Sequence, residues 1–329
     1  MLQPEEIKKA AAAIGFDGCG VVAARRLDHS LERFRDWLQA GHHSSLDYLE
    51  RNIEKRFDPT LLVEGARTVI VCAVSYKSPI SEGYPTDHRT KVASYGCNRD
   101  YHVTLKEMLR ELLASLQKGH PTLSGRAFVD SAPVAEKQWA VEAGLGWIGR
   151  QSLLITPKFG SFIHLGVLII NEACESYDSR FEGSRCGTCR ACLEACPTHA
   201  ILEGERMIDT GRCIACHTIE KQPTTDIDLG GWIFGCDACQ SCCPYNHHAP
   251  MHRHAAFDPL FDPRTLAPSN WQQMTEEEFK NLLGTTPLTR SGLARIQENV
   301  EEERAKSEEE RAKERERRRE SVESGEWKE

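Results

Sequence analysis

Ten of the fourteen cysteines in this 329-residue chain lie between Cys186 and Cys243, and this cluster constrains the fold more than any other feature. The segment from Met1 to Lys9 is polar and lacks a secretory core, and no run of about 18 apolar residues occurs. We therefore expect a cytoplasmic protein without a membrane span. Because the cytosol keeps thiols reduced, the clustered cysteines are predicted to bind metal rather than to form disulfides.

The first cysteine run has the spacing of a bacterial ferredoxin, Cys186-x2-Cys189-x2-Cys192-x3-Cys196-Pro197. In that arrangement the first three thiolates bind one cubane, and the fourth binds the other cluster. A structural zinc site more often uses two separated C-x2-C pairs. The spacing therefore favours two 4Fe-4S clusters over zinc.

The second run matches only the last three ligands, Cys236-x2-Cys239-x3-Cys243-Pro244, because Ile233 occupies the position of the first. A cubane needs four thiolates, so an upstream cysteine must complete the set. The Cys-Pro step favours Cys243 over its neighbour Cys242 as the last ligand. The predicted ligand sets are Cys186, Cys189, Cys192 and Cys243 for one cluster, and Cys196, Cys236, Cys239 and either Cys213 or Cys216 for the other.

Before the cysteines, helical and strand-like patterns alternate. Pro4 to Ala13 predicts a helix, and Asp100 can cap a second one whose apolar residues recur every 3.6 positions. The strand-like runs are Gly20 to Ala24, Thr68 to Tyr76, Arg126 to Asp130 and Phe162 to Asn171. Strands separated by helices indicate an α/β domain.

The patterns divide the chain into three parts: an α/β domain over residues 1–170, a ferredoxin-like α+β domain with two 4Fe-4S clusters over residues 171–290, and a charged tail over residues 291–329. The tail from Glu298 to Lys328 shows no apolar stripe, so it is predicted to be a solvated helix or disordered. From Arg295 onward, thirteen Glu oppose ten Lys and Arg, which leaves −5 of the net charge of −8 on the rest of the chain. A local basic surface is therefore compatible with the acidic total.

Several motifs together make the chain similar to the epoxyqueuosine reductase family, over about three quarters of its length. They are Asp100-Tyr101-His102, Val129-Asp130-Ser131-Ala132-Pro133, Ala143-Gly144-Leu145-Gly146-Trp147-Ile148-Gly149, Cys213-Ile214-x2-His217-Thr218-Ile219-Glu220 and Gly235-Cys236-Asp237-x-Cys239-Gln240. The resemblance implies a base-off cobalamin between the two domains. It also implies reduction of epoxyqueuosine to queuosine, the last step of queuosine biosynthesis, at the wobble position of a tRNA with a GUN anticodon.

The same resemblance implies roles for particular residues. Asp130 matches the proton donor, and Cys213 rather than Cys216 matches the distant cluster ligand. The implied corrinoid contacts are Arg56, Ala93, Asp130, Leu154 and Leu165. Cys216 and Cys242 stand where the family commonly has an aromatic and an aliphatic residue. The physiological partner is an unidentified low-potential electron donor, and the protein is expected to be a monomer.

Asp130 and His102 each allow a second interpretation. Asp130 ends an apolar strand and is expected to be held protonated by burial, but it could instead cap a helix from Val134 to Ala143. Asp100-x-His102 resembles part of a base-off corrinoid motif. That motif needs a glycine where Leu105 stands, so we favour a structural role for His102.

Two other functions use related cofactors. A reductive dehalogenase would combine cobalamin and iron-sulfur clusters, but usually with an exported leader that this sequence does not show. A ferredoxin-type electron carrier would need no domain of about 170 residues before its clusters. For an RNA substrate, we expect the arginines near the active-site mouth to face the anticodon stem-loop, together with His247, His248, His252, Arg253 and His254.

Overall fold

The computed structural model describes residues 2–220 and 227–323. The strands are β1 (Gly18–Ala23), β2 (Thr68–Ser75), β3 (Lys91–Val92), β4 (Gly125–Phe128), β5 (Trp147–Ile148), β6 (Leu154–Ile155), β7 (Ile163–Ile170), β8 (Ile201–Leu202), β9 (Met207–Ile208) and β10 (Trp232–Phe234). The α-helices are α1 (Pro4–Ile14), α2 (Asp28–Gln39), α3 (Ile53–Phe57), α4 (Tyr101–Gln117), α5 (Glu136–Glu142), α6 (Ala191–Glu194), α7 (Ile214–Glu220), α8 (Ala238–Ser241), α9 (Pro244–His248), α10 (Pro268–Gln273), α11 (Glu276–Leu283) and α12 (Gly292–Glu323). Short 3-10 helices span Asp47–Glu50, Pro59–Leu61, Pro79–Glu82, Ser94–Cys97, Thr210–Arg212, Ala255–Phe257, Pro263–Thr265 and Pro287–Arg290.

All four predicted strand runs are confirmed, and they form one sheet in the order β1-β2-β7-β4. Every pairing in this sheet is antiparallel. The mixture of helices and strands is therefore confirmed, but the parallel sheet that the α/β class implies is not what forms, and α+β describes this half better. Apolar periodicity identifies a strand without giving its direction, which here depends on how long connections return to the sheet.

The sheet packs helices on both faces. Ile70 and Cys72 of β2 point into a core shared with α1 and α4, whereas Val69 and Val71 point into a second core shared with α2 and α5. The period-2 alternation of a strand explains this division. In α4, Asp100 accepts a hydrogen bond from the His102 backbone N–H, so the predicted cap is confirmed.

The iron-sulfur half is not separate from the first half. Strand β3 pairs in parallel with β10, and Val92 shares a core with Phe234 and Trp271. The division of the chain at residues 170 and 290 stays a prediction, but the segment around β3 packs with the second half. None of the helices formed by the described residues combines the length and apolarity needed to cross a bilayer.

The predicted tail is helical from its start as α12. Its first turns are docked rather than solvated, because Leu293, Ile296 and Val300 are buried in the core with Trp271. Asn299 donates to the Ile233 carbonyl, which adds a polar attachment. The expectation that the segment from Glu298 onward does not dock is therefore wrong at its beginning, where Asn299 and Val300 are buried. Residues 324–329 lie outside the described residues.

Candidate active site and iron-sulfur centres

The first predicted ligand set converges around α6 and the start of α9. The pKa of the Cys192 thiol is raised by burial and then by three neighbouring thiols, which are Cys186, Cys243 and Cys189. The Trp147 indole N–H lies 3.4 Å from the Cys186 Sγ and donates a hydrogen bond to it. Residues from the two cysteine runs therefore share one site, as a crossed double-cluster arrangement requires.

The second predicted ligand set converges near α8. Burial raises the pKa of Cys239 well above its usual range, and the negative charges of Cys236, Cys213 and Cys196 raise it further. The Ala200 backbone N–H donates to Cys196 Sγ across 3.3 Å. Four cysteines from three segments thus meet in one place.

Cys213 and Cys216 are adjacent but differ in what they face. A hydrogen bond from the Cys216 thiol lowers the pKa of Cys213 to about 7. The negative charge of Cys213 is among the main causes, after burial, that raise the pKa of both Cys236 and Cys239. The geometry supports Cys213 as the fourth ligand of the second set.

The two sets suit cubanes better than single ions. Among the described residues, no three Cys, His, Asp or Glu side chains converge tightly enough to hold one metal ion. In a cubane each thiolate binds a different iron atom, so four thiols spaced around a common centre are the appropriate donors. Cys242 lies beside the first set, where Cys192 and Cys243 raise its pKa, after burial, to about 12.

Asp130 lies in a loop that follows β4, with φ of 46°, in the left-handed region. The Glu136 carboxylate accepts a hydrogen bond from the Asp130 N–H and so fixes this conformation. Helix α5 has Ala135 at its N-cap, so the interpretation of Asp130 as a helix cap is wrong. About half of the Asp130 side chain, 51%, is accessible.

His102 and Tyr101 both bind Asp130. The His102 Nε2 and the Tyr101 hydroxyl each lie 3.0 Å from Asp130 Oδ2. On its other side, His102 Nδ1 lies 2.7 Å from Asp100 Oδ1. The imidazole therefore bridges two carboxylates, which is a contact that the motif Asp100-Tyr101-His102 did not reveal.

The hydrogen bonds of His102 to Asp100 and Asp130 influence which of these groups carries a proton. Although partial burial would lower it, the pKa of His102 is raised to about 9 by its hydrogen bonds to Asp100 and Asp130. Burial alone would raise the pKa of Asp130, but hydrogen bonds from His102 and Tyr101 hold it below its usual range. The expectation that burial keeps Asp130 protonated is therefore not met. Both shifts favour the proton on His102 rather than on Asp130 at neutral pH.

The rings behind this pair form a stack. Tyr101 stacks on His102 with centroids 4.1 Å apart and on His164 with centroids 4.3 Å apart. Burial lowers the pKa of His164 to about 3, so this second imidazole is neutral. The stack fixes the Tyr101 and His102 rings against rotation.

Other residues around Asp130 were not selected from the sequence. Burial and the charge of Asp130 raise the pKa of Glu136 to about 8. Arg290 donates to both oxygens of Glu220, at 2.7 and 2.9 Å, and its charge helps to hold the pKa of Asp130 down. Burial and Glu220 raise the pKa of Tyr48 to about 12. These residues come from separate segments, so no local pattern could have grouped them.

A cavity of about 520 Å³ lies between the sheet half and the segment around β9. Arg56, Glu136 and Lys137 line it, together with aromatic side chains such as Trp37. Of the five predicted corrinoid contacts, only Arg56 lines this cavity, and Asp130 does not. Ala93, Leu154 and Leu165 lie apart from its wall.

These three residues pack in cores on either side. Ala93 is buried beside Cys236, and Leu154 is buried in the core between the sheet and α5. Leu165 of β7 is partly buried against that same core.

The predicted histidine surface does not form one basic face. Arg253 pairs with Asp17 at 3.2 Å. The His252 side chain is mostly buried and lies 3.6 Å from Asp258. His254 packs on Phe257. His247, His248 and Arg253 are exposed, but the charge of Arg253 is paired with that of Asp17.

Two four-thiol sets, together with an acid-base pair, are typical of an iron-sulfur oxidoreductase. The family model "Epoxyqueuosine reductase QueG, DUF1730" matches residues 56–131, and "4Fe-4S double cluster binding domain" matches residues 185–246. An epoxyqueuosine reductase of Cyclobacterium marinum is 39% identical over 298 residues, covering 89% of this chain and 94% of the relative. One of Pseudomonas aeruginosa is 34% identical, covering 90% of this chain and 83% of the relative.

Solved structures agree. An epoxyqueuosine reductase bound to an epoxyqueuosine-modified tRNA-Tyr stem loop matches with a TM-score of 0.80 and 27% identity, over 90% of this chain and 79% of that chain. The Bacillus subtilis enzyme, in a structure with its catalytic aspartate loop swung out of the active site, matches with a TM-score of 0.81 and 28% identity, over the same shares. The chain belongs to the epoxyqueuosine reductase family.

Proposed function

We propose that this chain reduces the epoxide of epoxyqueuosine at the wobble position of a tRNA with a GUN anticodon, using electrons from a low-potential donor. The single observation that carries the proposal is the contact between His102 and Asp130, in which the raised pKa of His102 favours a proton on the imidazole. The same chain also carries two four-thiol sets. The relatives at 34% and 39% identity are epoxyqueuosine reductases, which favours this substrate over the reductive dehalogenase and carrier alternatives.

Eight cysteines are proposed to hold the two clusters. The first takes Cys186, Cys189, Cys192 and Cys243, and the second takes Cys196, Cys213, Cys236 and Cys239. Because each cysteine run supplies a ligand to the cluster of the other run, clusters held by these sets would lie close together and could pass single electrons.

The cavity between the two halves suits a corrinoid. It is lined by aromatic rings and by Arg56, whose Nε is buried without a hydrogen-bond partner. An unpaired buried donor favours a polar ligand group, such as the amides at the edge of a corrin ring. Of the corrinoid contacts that the family resemblance implies, we assign Arg56 to this cavity, whereas Ala93, Asp130, Leu154 and Leu165 do not line it and stay predictions. Cobalamin bound here would supply the two electrons to the epoxide carbon.

The chain's own residues handle the protons. As the C–O bond of the epoxide breaks, the oxygen gains negative charge and needs a proton. Asp130 Oδ2 accepts the proton from His102 Nε2 across 3.0 Å and passes it to this oxygen. Asp100 then holds the His102 ring in place while His102 takes up another proton. Two electrons and two protons convert the epoxide to an alkene, and the oxygen leaves as water.

Replacing Asp130 with Asn tests this role. Asn keeps the shape of the acid but cannot carry the proton, so we expect turnover to fall by about 10² to 10⁴. Both clusters and cobalamin should stay bound. The measurement is single-turnover reduction of an epoxyqueuosine-containing anticodon stem-loop, with cobalamin occupancy followed spectroscopically. Asp258→Asn, at an exposed carboxylate, serves as the control. A wild-type rate in the Asp130→Asn variant at full occupancy would remove Asp130 from the chemistry.

A further inference from the structure

A second concave surface, of about 390 Å³, borders the catalytic loop. Val129, Ala132 and Pro133, which flank Asp130 in the chain, form one side of it. Lys55, Lys106 and Arg126 also line it, and its lining contains no carboxylate. A surface with three positive charges is therefore built around the loop that carries the proposed acid.

The two lysines have no partner within the described residues. Neither the Lys55 nor the Lys106 side chain forms an ion pair or a hydrogen bond there. Arg126 donates to the Leu62 carbonyl at 3.0 Å and lies 5.2 Å from the Phe128 ring centroid, so it is held in place while the rest of its guanidinium stays accessible. In a chain with a net charge of −8, this group of uncompensated cations favours an anionic ligand.

Three elements bring these cations together. Lys55 belongs to α3, Lys106 to α4 and Arg126 to β4. Lys106 lies one helical turn beyond His102 on α4, because a turn of helix is about 3.6 residues. Lys106 and Arg126 are thus fixed to α4 and β4, the two elements that position the acid-base pair.

We propose that Lys55, Lys106 and Arg126 bind the phosphates of the RNA backbone next to the modified nucleotide. This inference rests on the proposed function. A nucleoside that reaches Asp130 brings its own flanking phosphates to within a nucleotide's length of the pocket. Lysine side chains suit this ligand because they act as mobile point charges toward phosphate oxygens.

The test neutralises the two free lysines in the full-length holoenzyme. We expect Lys55→Gln/Lys106→Gln to weaken binding of a fluorescent epoxyqueuosine-containing anticodon stem-loop by about tenfold, and to make the slope of log Kd against log salt shallower by about 2. The matched control, Lys118→Gln/Lys280→Gln, removes the same charge at lysines outside the pocket. It should bind like wild type.

Binding anisotropy across a salt series gives both quantities. An unchanged slope in the pocket variant, or an equal change in the control, would overturn the proposal. Loss of cobalamin from the pocket variant during purification would also overturn it, because the pocket would then serve the phosphate of the corrinoid's own nucleotide. The wild type and the pocket variant could show the expected difference in slope while the wild type does not reduce the epoxide of the stem-loop. In that case the proposed function is wrong and the phosphate-binding proposal is retained.

Discussion

Asp130 occupies a backbone conformation that few residues other than glycine adopt. With φ at 46°, it lies in the left-handed region, which Asp and Asn tolerate better than most side chains. The hydrogen bond from its N–H to Glu136 compensates part of the cost. Such a strained residue, held in contact with His102 and Tyr101, is typical of functional sites.

The His102 imidazole makes the reaction depend on pH. Its pKa is raised from 6.5 to about 9, so the acid form is present below pH 9 and is lost above it. We expect single-turnover rates of wild type to be flat through neutral pH and to fall about tenfold per unit above pH 9. In His102→Gln the rate should be low and this alkaline limb should vanish. His120→Gln, at a histidine paired with Glu6, is the control and should keep the limb.

Cys213 and Cys216 should differ when each is replaced by alanine. Cys213→Ala removes a thiol that faces Cys236 and Cys239, so we expect loss of one cluster. Cys216→Ala removes only a hydrogen-bond donor to Cys213 and should retain both clusters. Iron content and the paramagnetic spectrum of the reduced variants provide the measurement. Equal losses in the two variants would contradict the assignment.

Among the elements, α12 combines two different environments in one helix. Its first turns bury Leu293, Ile296 and Val300, and Glu303 is buried where it pairs with Arg89. Further along, Arg304 and Glu308 are exposed and pair with each other. Tertiary packing therefore stabilises the beginning of the helix, and local charge pairs contribute little to the rest.

Ile296→Ala should expose this difference. Its side chain is fully buried in the core with Trp271, so truncation should cost about 2–5 kcal/mol of unfolding free energy. Arg304→Ala, at an exposed position of the same helix, should change stability by about 0.5 kcal/mol or less. Anaerobic denaturation of the two holoprotein variants measures both values. Similar values would show that the helix is not held by its first turns.

At the scale of the whole molecule, Lys77 connects the sheet to the cysteine-rich half of the chain. This lysine is buried just beyond β2, and its Nζ donates to the Asn246 and Ala249 carbonyls at 2.7 and 2.6 Å. Those carbonyls belong to α9 and the residue that follows it, directly after Cys243, a proposed cluster ligand. The ammonium group therefore links the sheet to the segment that carries this cysteine.

Lys77→Met should leave these two carbonyls without a partner. Each buried unsatisfied group costs about 1–3 kcal/mol, so we expect a loss of about 2 kcal/mol or more. We also expect faster release of iron when the holoprotein is exposed to a chelator. Lys118→Met, at an exposed lysine, controls for the loss of charge and should match wild type in both measurements.

Local patterns predicted a large part of this protein. Cysteine spacing predicted the double 4Fe-4S domain, which the family model over residues 185–246 confirms, because ferredoxin ligands are close in sequence. Apolar periodicity predicted the four strands of the sheet and the helices α1 and α4. The family also followed from short motifs, since each keeps its residues together along the chain.

Only the tertiary structure decided the rest. His102 meets Asp130 across 28 positions of sequence, and Arg290 reaches Glu220 across 70, so neither contact has a local signal. The protonation of the acid changed with these contacts, because a carboxylate's pKa depends on which donors surround it. The antiparallel order of the sheet, the docking of α12 and the pocket of Lys55, Lys106 and Arg126 likewise arise from packing between distant elements. The sequence determined the iron-sulfur chemistry and the local elements, whereas the contacts that favour the proton on His102 rather than on Asp130 exist only after folding.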